Sequence, residues 1–211
     1  MIHEMRTYTM WPGKAPEFLK AVAEKGIPIR GNDYGRMEGF WVSEFGPLNQ
    51  VVHLWSHEDL NTRQESRARL AQNKDWIEGF VPLVRSLIRH QRIRLMHPQR
   101  PLTPPAESGN VYEYRHYQAR VGEGPNFVAA ISEAMPAREK YSKNVCLWLT
   151  EAGEPNEVSH LWAYQSLDAR AEARGAAMQD PDWQAFLGQA GGMLEEMNSM
   201  VLLPAPFSPL G

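Results

Sequence analysis

The chain has 211 residues, of which 43% are hydrophobic and 22% charged, so it is long and apolar enough to bury a core; this excludes a disordered chain and a disulfide-stapled mini-protein. A formal charge of −3 and an isoelectric point near 6.2 provide no broad positive field, so we expect no nucleic-acid partner and no binding to a membrane. No apolar run reaches membrane-spanning length and no signal-peptide core begins the chain, so we expect a cytoplasmic protein. The single cysteine, Cys146, has apolar neighbours and is interpreted as a core residue.

The chain begins with a strand and a helix. A strand is predicted over residues 3–10, where a period of two separates Glu4, Arg6, Tyr8 and Met10 from His3, Met5, Thr7 and Thr9. Gly13 then predicts a turn, and Pro16 suits the first turn of a helix. Phe18 and Val22, four residues apart, share one face of that helix.

A hairpin and a helical region come next. Residues 40–44 and 50–56 are predicted as strands joined by a turn that contains Gly and Pro. From Asp59 the spacing becomes helical, and Trp76, Phe80, Leu83 and Leu87 continue one apolar stripe. A last strand is predicted over residues 89–96.

A second copy of this pattern lies beyond a proline-rich segment. Residues 1–97 are predicted as one half, 98–109 as a semi-rigid linker and 110–211 as the second half, whose last strand is predicted over 198–203. Six of the seven tryptophans fall into pairs, and the offset between copies changes from 109 near residue 4 to 107 near residue 41. The paired segments begin with Glu4-Met5-Arg6-Thr7-Tyr8 and Glu113-Tyr114-Arg115-His116-Tyr117.

The order of elements predicts an α+β fold made of two tandem ferredoxin-like halves, each a split βαβ unit with helices on one face of its sheet. The other face of each sheet needs cover, and the second sheet can provide it. We therefore predict that the halves pack sheet to sheet as a dimeric α+β barrel within one chain.

Glu-x-Arg-x-Tyr in the first strand, the run from Trp41 to Trp55 and the later Arg63-x-x-x-Arg67 and Trp76 resemble the NIPSNAP family over nearly the whole chain, twice. The resemblance implies the dimeric α+β barrel superfamily, whose members include cofactor-free monooxygenases, isomerases, aldoxime dehydratases and haem enzymes. It implies a fold more firmly than a reaction, because one fold supports many functions.

Strand alternation places Glu4, Arg6 and Tyr8 on one face, and His53 and Trp55 on one face of another strand. Histidine suits acid–base work near neutral pH, and arginine suits polar ligand groups. The predicted catalytic residues are His53, His160, Glu4, Glu113, Tyr8 and Tyr117. The predicted ligand-binding residues are Arg6, Arg115, Trp55, Trp162, Asn49 and Asn156.

A structural role competes with each of these predictions. Glu4 can pair with Arg6, Arg63 or Arg67 and hold a strand to a helix, and His53 can be a hydrogen-bonded core residue. His53 and His57 are too far apart on a strand to chelate one ion, and no metal site or nucleotide cofactor is predicted. Haem is a weaker alternative.

Positions that differ between the copies are candidates for a site present in one half only. His116 stands opposite Thr7, His57 opposite Tyr164, and His90 is aligned with Met197. Each of these also fits a solvent-facing substitution.

Two functions remain open. The first is binding, with or without transformation, of a small apolar or aromatic metabolite inside the barrel. The second is a non-catalytic interaction or scaffold protein of the NIPSNAP type, and exposed sheet edges also allow a homo-oligomer.

Overall fold

Strands and helices succeed one another in the same order twice along the chain, and the computed structural model describes all of residues 1–211. Two compact units result: Met1–Leu95 with Pro204–Gly211, called the first half, and Met96–Leu203, called the second half. None of the helices has the length and apolar content that crossing a bilayer requires.

The first half contains regular helices interrupted by wider turns. Its strands are β1 (Ile2–Met10), β2 (Arg36–Phe45), β3 (Gln50–His57) and the start of β4 (Ile88–Pro98). Its α-helices are α1 (Ala15–Ala21), α2 (Ile27–Arg30), α3 (Leu60–Leu70) and α4 (Val81–Arg85). Two π-helical segments, Val22–Gly26 and Asp75–Phe80, lie between α1 and α2 and directly before α4.

The second half has the same plan without π-helical segments. Its strands are β5 (Val111–Ala119), β6 (Asn144–Ala152), β7 (Glu157–Tyr164) and β8 (Leu194–Pro204). Its helices are α5 (Gly124–Arg138), α6 (Leu167–Ala177), α7 (Pro181–Ala190) and a short 3₁₀ turn, Gly191–Met193.

Antiparallel pairing is the same in both halves. β3 lies between β1 and β2, and β7 lies between β5 and β6. In the second half, β8 also pairs with β5 in antiparallel register. The predicted α+β fold of two tandem ferredoxin-like halves is therefore confirmed.

Local sequence explains where the helices begin. Asp59 accepts a hydrogen bond from the Thr62 backbone N–H at 2.7 Å before α3, and Ser166 does the same for Ala169 at 3.0 Å before α6. Proline occupies the first turn of α1 and α7, where no hydrogen-bond donor is needed.

The predicted apolar stripe of the second helical region is wrong at one position. Leu83 is exposed, whereas Phe80, Val84 and Leu87 are buried. The stripe assumed 3.6 residues per turn, and the π-helical segment Asp75–Phe80 rotates the side chains of α4 about the helix axis.

Two further details differ from the predictions. β8 begins at Leu194 and not at residue 198, because it pairs with β5 as far as Ala119 although several of its residues are polar and exposed. β4 and β8 have equal lengths, so His90 corresponds to Glu196 and not to Met197.

Candidate ligand site in the first half

A cavity of about 590 Å³ lies in the first half, between the sheet and the helices on its face. Its apolar walls include Phe18, Phe40, Phe80 and Val84. Its polar lining includes Arg6, Tyr8, Arg30, His53 and Arg67. A volume of this order suits a small organic ligand.

The register of two strands brings the predicted residues together. In the β1–β3 ladder, Glu4 pairs with Trp55 and Arg6 pairs with His53. Residues directly opposite in an antiparallel pair point to the same face, so alternation along each strand places all four side chains side by side. Arg6, His53 and Trp55 line the cavity. Glu4 does not line it but accepts a hydrogen bond from Arg6.

Glu4 is the centre of a buried ion-pair network. Arg6 Nη1 donates to its Oε1 at 2.6 Å, Arg63 Nε donates to its Oε2, and Arg67 Nη1 lies 3.8 Å away. Burial alone would raise the pKa of Glu4, but the three guanidinium charges outweigh it and hold the pKa below its ordinary value. The carboxylate is therefore ionised and fully engaged, which fits positioning of Arg6.

His53 is buried and neutral, and one of its ring nitrogens is already bonded. Trp55 Nε1 donates to His53 Nδ1 at 2.6 Å, so Nδ1 is the acceptor and the proton of the neutral ring is on Nε2. Burial, reinforced by the charges of Arg6 and Arg30, lowers the pKa of His53 well below its ordinary value. Nε2 has no hydrogen-bond partner, and Phe40 stacks on the ring with centroids 4.8 Å apart.

Arg30 adds a second unsatisfied group at the same end of the cavity. Its guanidinium stacks on Trp55, 3.3 Å from the ring centroid, and Nη2 donates to the Tyr34 carbonyl at 2.9 Å. The side chain is buried, and its Nε has no partner. Burial, together with repulsion from Arg6, lowers the pKa of Arg30 to about 9.

The second half repeats the polar network. Glu113 Oε1 accepts hydrogen bonds from Arg115 at 2.6 Å, Arg170 at 2.7 Å and the Ser199 hydroxyl at 2.7 Å. Burial alone would raise the pKa of Glu113, but these bonds and the nearby guanidinium charges bring it to about 2. Trp162 Nε1 donates to His160 Nδ1 at 2.5 Å, as in the first half.

Helix geometry distinguishes the halves. The offset between copies is 109 at Val22 and Ile131 but 108 at Arg30 and Arg138, so the first half has one extra residue within its Val22–Gly26 π-helical segment. The first half also has one extra residue within the Asp75–Phe80 π-helical segment. Trp76 and Phe80 pack 4.4 Å apart between ring centroids, whereas their counterparts Trp183 and Phe186, one residue closer in sequence, pack at 4.7 Å.

A glycine lies in each π-helical segment, and one of them gives space to an aromatic ring. A Cβ atom on Gly26 would lie 2.9 Å from Cε2 of Phe80. In the second half the phenylalanine at the equivalent position, Phe186, instead packs 5.9 Å from Phe127 between ring centroids. The extra residues thus change how the helices pack beside the first-half cavity, and π-helical bulges often occur at functional sites.

The remaining candidates divide between the hairpin turns, the tyrosines bonded to the arginine of the first strand in each half, and the histidines that differ between the halves. Asn49 and Asn156 have positive φ angles of 57° and 62° in the hairpin turns, where asparagine tolerates the left-handed conformation. Tyr8 accepts a hydrogen bond from Arg6 Nε at 2.6 Å, and Tyr117 accepts the equivalent bond from Arg115. His57 is buried, so its interpretation as a solvent-facing substitution is wrong. His116 lies 3.3 Å from Glu157. No group of three or more His, Cys, Asp or Glu side chains is arranged to hold a metal ion.

Sequence reasoning missed Arg30 and the two glycines. The signal was the offset between the copies, which falls in single steps: each step marks one inserted residue, and the steps inside the helices mark the π-helical segments. Aligning Ile27-Pro28-Ile29-Arg30 with Met135-Pro136-Ala137-Arg138 would have paired the two arginines.

The comparison with protein families finds the same duplication as the two polar networks. The NIPSNAP family model matches residues 3–101 and again 112–209. The chain belongs to the NIPSNAP family. Human protein NipSnap homolog 3B is 34% identical over 213 residues, covering 99% of this chain and 85% of the human protein. A NipSnap homolog of Dictyostelium discoideum is 26% identical, covering 96% and 87%.

Solved structures extend the fold comparison beyond NIPSNAP proteins. The structure of a putative monooxygenase from Lactobacillus acidophilus superimposes with a TM-score of 0.70 over 100% of this chain and 96% of its own. The two sequences are 15% identical, so the likeness concerns the fold alone.

Proposed function

We propose that this NIPSNAP protein binds a small apolar or aromatic metabolite in the first-half cavity, without a nucleotide cofactor. The observation that carries the proposal is a cavity of about 590 Å³ with aromatic walls and unsatisfied buried polar atoms at one end. Cavities with these properties are the usual form of small-molecule sites.

The polar lining supports binding of an oxygen-containing group. His53 presents an Nε2–H without an acceptor, and Arg6 presents a guanidinium held in place by Glu4 and Tyr8. Groups that are already oriented lose little entropy when a ligand arrives. If the ligand is transformed, these two donors would stabilise negative charge on its oxygen, and Glu4 would act as a positioning residue.

The test uses a neutral fluorescent probe, N-phenyl-1-naphthylamine, whose emission rises in apolar surroundings. We expect saturable binding of one probe per chain. Val84→Trp should weaken binding at least about tenfold, because Val84 lines the cavity and the larger side chain occupies it. Leu83→Trp is the matched control, since Leu83 is the neighbouring residue on α4 and is exposed.

Two results would contradict the proposal. One is the absence of saturable probe binding, and the other is equal affinity of the Val84→Trp and Leu83→Trp variants for the probe. Either result would favour a non-catalytic interaction protein with a filled core.

A further inference from the structure

Arg30 and its counterpart Arg138 have the same place in the fold but different partners. Arg138 donates to the Ser142 hydroxyl at 2.6 Å and to the Tyr164 hydroxyl at 3.1 Å, and its guanidinium lies 4.6 Å from the Trp162 ring centroid. Arg30 keeps the tryptophan contact but has only the Tyr34 carbonyl as acceptor. The tyrosine is replaced by His57 in the first half.

Arg30 also makes no ion pair, although only 8% of its surface is exposed. The carboxylate in this region, Glu4, is bonded to Arg6 and Arg63 and lies within 4 Å of Arg67. A buried guanidinium without a carboxylate is costly, so the fold retains an uncompensated positive charge beside an open cavity.

His53 faces the same end of the cavity. Trp55 connects the two residues, because its ring stacks under Arg30 and its Nε1–H bonds to His53. His53 Nε2–H and the guanidinium of Arg30 are both donors, and neither Nε2 of His53 nor Nε of Arg30 has an acceptor. The complementary ligand group therefore carries acceptors and negative charge.

We propose that the ligand of the first-half cavity carries an anionic oxygen group, a carboxylate or an enolate, and that Arg30 and the Nε2–H of His53 bind it. The aromatic and aliphatic walls then hold the remainder of the ligand. This inference rests on the proposed function and adds the chemical class of the ligand and its orientation.

The experiment compares two probes of nearly equal shape, naphthalene-2-carboxylate and its methyl ester, as competitors of N-phenyl-1-naphthylamine. At neutral pH the parent protein should bind the acid at least about tenfold more tightly than the ester, because a charge-assisted hydrogen bond is about twice as strong as a neutral one. Arg30→Gln should reduce this preference to less than about twofold while N-phenyl-1-naphthylamine still binds.

Two variants control for indirect effects. Arg138→Gln removes the equivalent arginine of the second half and should leave the preference for the acid unchanged. Arg30→Lys keeps the charge without the planar donor set, so an intermediate preference is expected. Retained binding of the neutral probe shows that each variant is folded.

The outcomes distinguish the two proposals. If the neutral probe binds in the cavity but the acid is not preferred, or if Arg30→Gln and Arg30→Lys both leave the preference intact, the anion assignment is wrong and the cavity proposal stands. If the neutral probe does not bind, the proposed function itself fails. An acid preference abolished by Arg138→Gln would also contradict the assignment to the first half.

Discussion

The two halves of the chain have the same buried charges and different helices. Both contain a glutamate held by three arginines and a histidine bonded through Nδ1 to a tryptophan. Only the helices on the sheet of the first half contain π-helical segments, one between α1 and α2 and one before α4. The polar network is therefore a property of the repeated unit, and the helix insertions accompany the first-half cavity.

A second difference concerns the arginine at the end of α2 in the first half and its counterpart at the end of α5 in the second half. In the second half it is satisfied by two hydroxyl groups, whereas in the first half its Nε remains without a partner. In a duplicated chain, one copy can keep every buried polar group bonded within the protein while the other copy leaves a buried donor without a partner. Variants made in pairs, one in each half, test this division.

The largest expected effect comes from the central carboxylates. Glu113→Gln and Glu4→Gln should each lower the free energy of unfolding by about 3–5 kcal/mol, because each leaves buried guanidinium groups without their counter-charge. Urea unfolding measures the loss. Glu4→Gln should in addition weaken probe binding, since Glu4 holds Arg6 at the cavity and Glu113 has no such role. Equal effects of the two variants on probe binding would contradict a site confined to the first half.

The next effect is a dependence of stability on pH. Burial, reinforced by the charge of Arg115, lowers the pKa of His160 to about 3, against an ordinary value of 6.5. The unfolded chain therefore binds more protons between these two values, so stability falls as the pH drops from about 6.5 towards 3. The contribution is about 2 kcal/mol near the middle of this range.

His160→Gln should flatten this slope, because glutamine does not titrate and its side-chain oxygen can still accept from Trp162. Urea unfolding at a series of pH values measures it. A parent protein that is equally stable across the range would show that His160 is not buried as a neutral ring.

The third effect compares the arginines themselves. Arg138→Gln should destabilise the protein by about 1–3 kcal/mol, because it removes two hydrogen bonds from a charged donor. Arg30→Gln should cost about 1–2 kcal/mol less, because it also removes a buried charge that lacks a counter-ion. Thermal unfolding of both variants gives the difference. A greater loss for Arg30→Gln would mean that Arg30 is structural.

Much of this arrangement was predictable from the sequence, and the reason is strand geometry. A strand has a period of two whatever its surroundings, so alternation placed Glu4, Arg6 and Tyr8 on one face and His53 with Trp55 on another. The β1–β3 register then joins those faces. The duplication supported each pattern independently, because the same residues recur at a nearly constant offset.

The cavity was not predictable in the same way. Helix prediction assumes 3.6 residues per turn, and one inserted residue in a π-helical turn shifts every later side chain, as the exposed Leu83 and buried Val84 show. Arg30 was missed because its hydrogen-bond partners, and not its position in a pattern, distinguish it from Arg138. Whether a buried polar group has a hydrogen-bond partner depends on tertiary contacts, and a sequence periodicity does not predict those contacts.

The smallest effect tests the glycines of the two π-helical segments against each other. Gly79→Ala should raise the free energy of unfolding by about 0.5–1 kcal/mol, because alanine favours helix and a Cβ at this position meets no atom within 4 Å. Gly26→Ala should lack this gain, since its Cβ would lie 2.9 Å from Phe80 and displace the ring. Phe80 lines the cavity, so Gly26→Ala should also change the affinity for N-phenyl-1-naphthylamine, whereas Gly79→Ala should not. If both variants gain the same stability and bind the probe equally, the contact between Gly26 and Phe80 does not shape the cavity, and the π-helical segments differ from regular helix without consequence for the ligand.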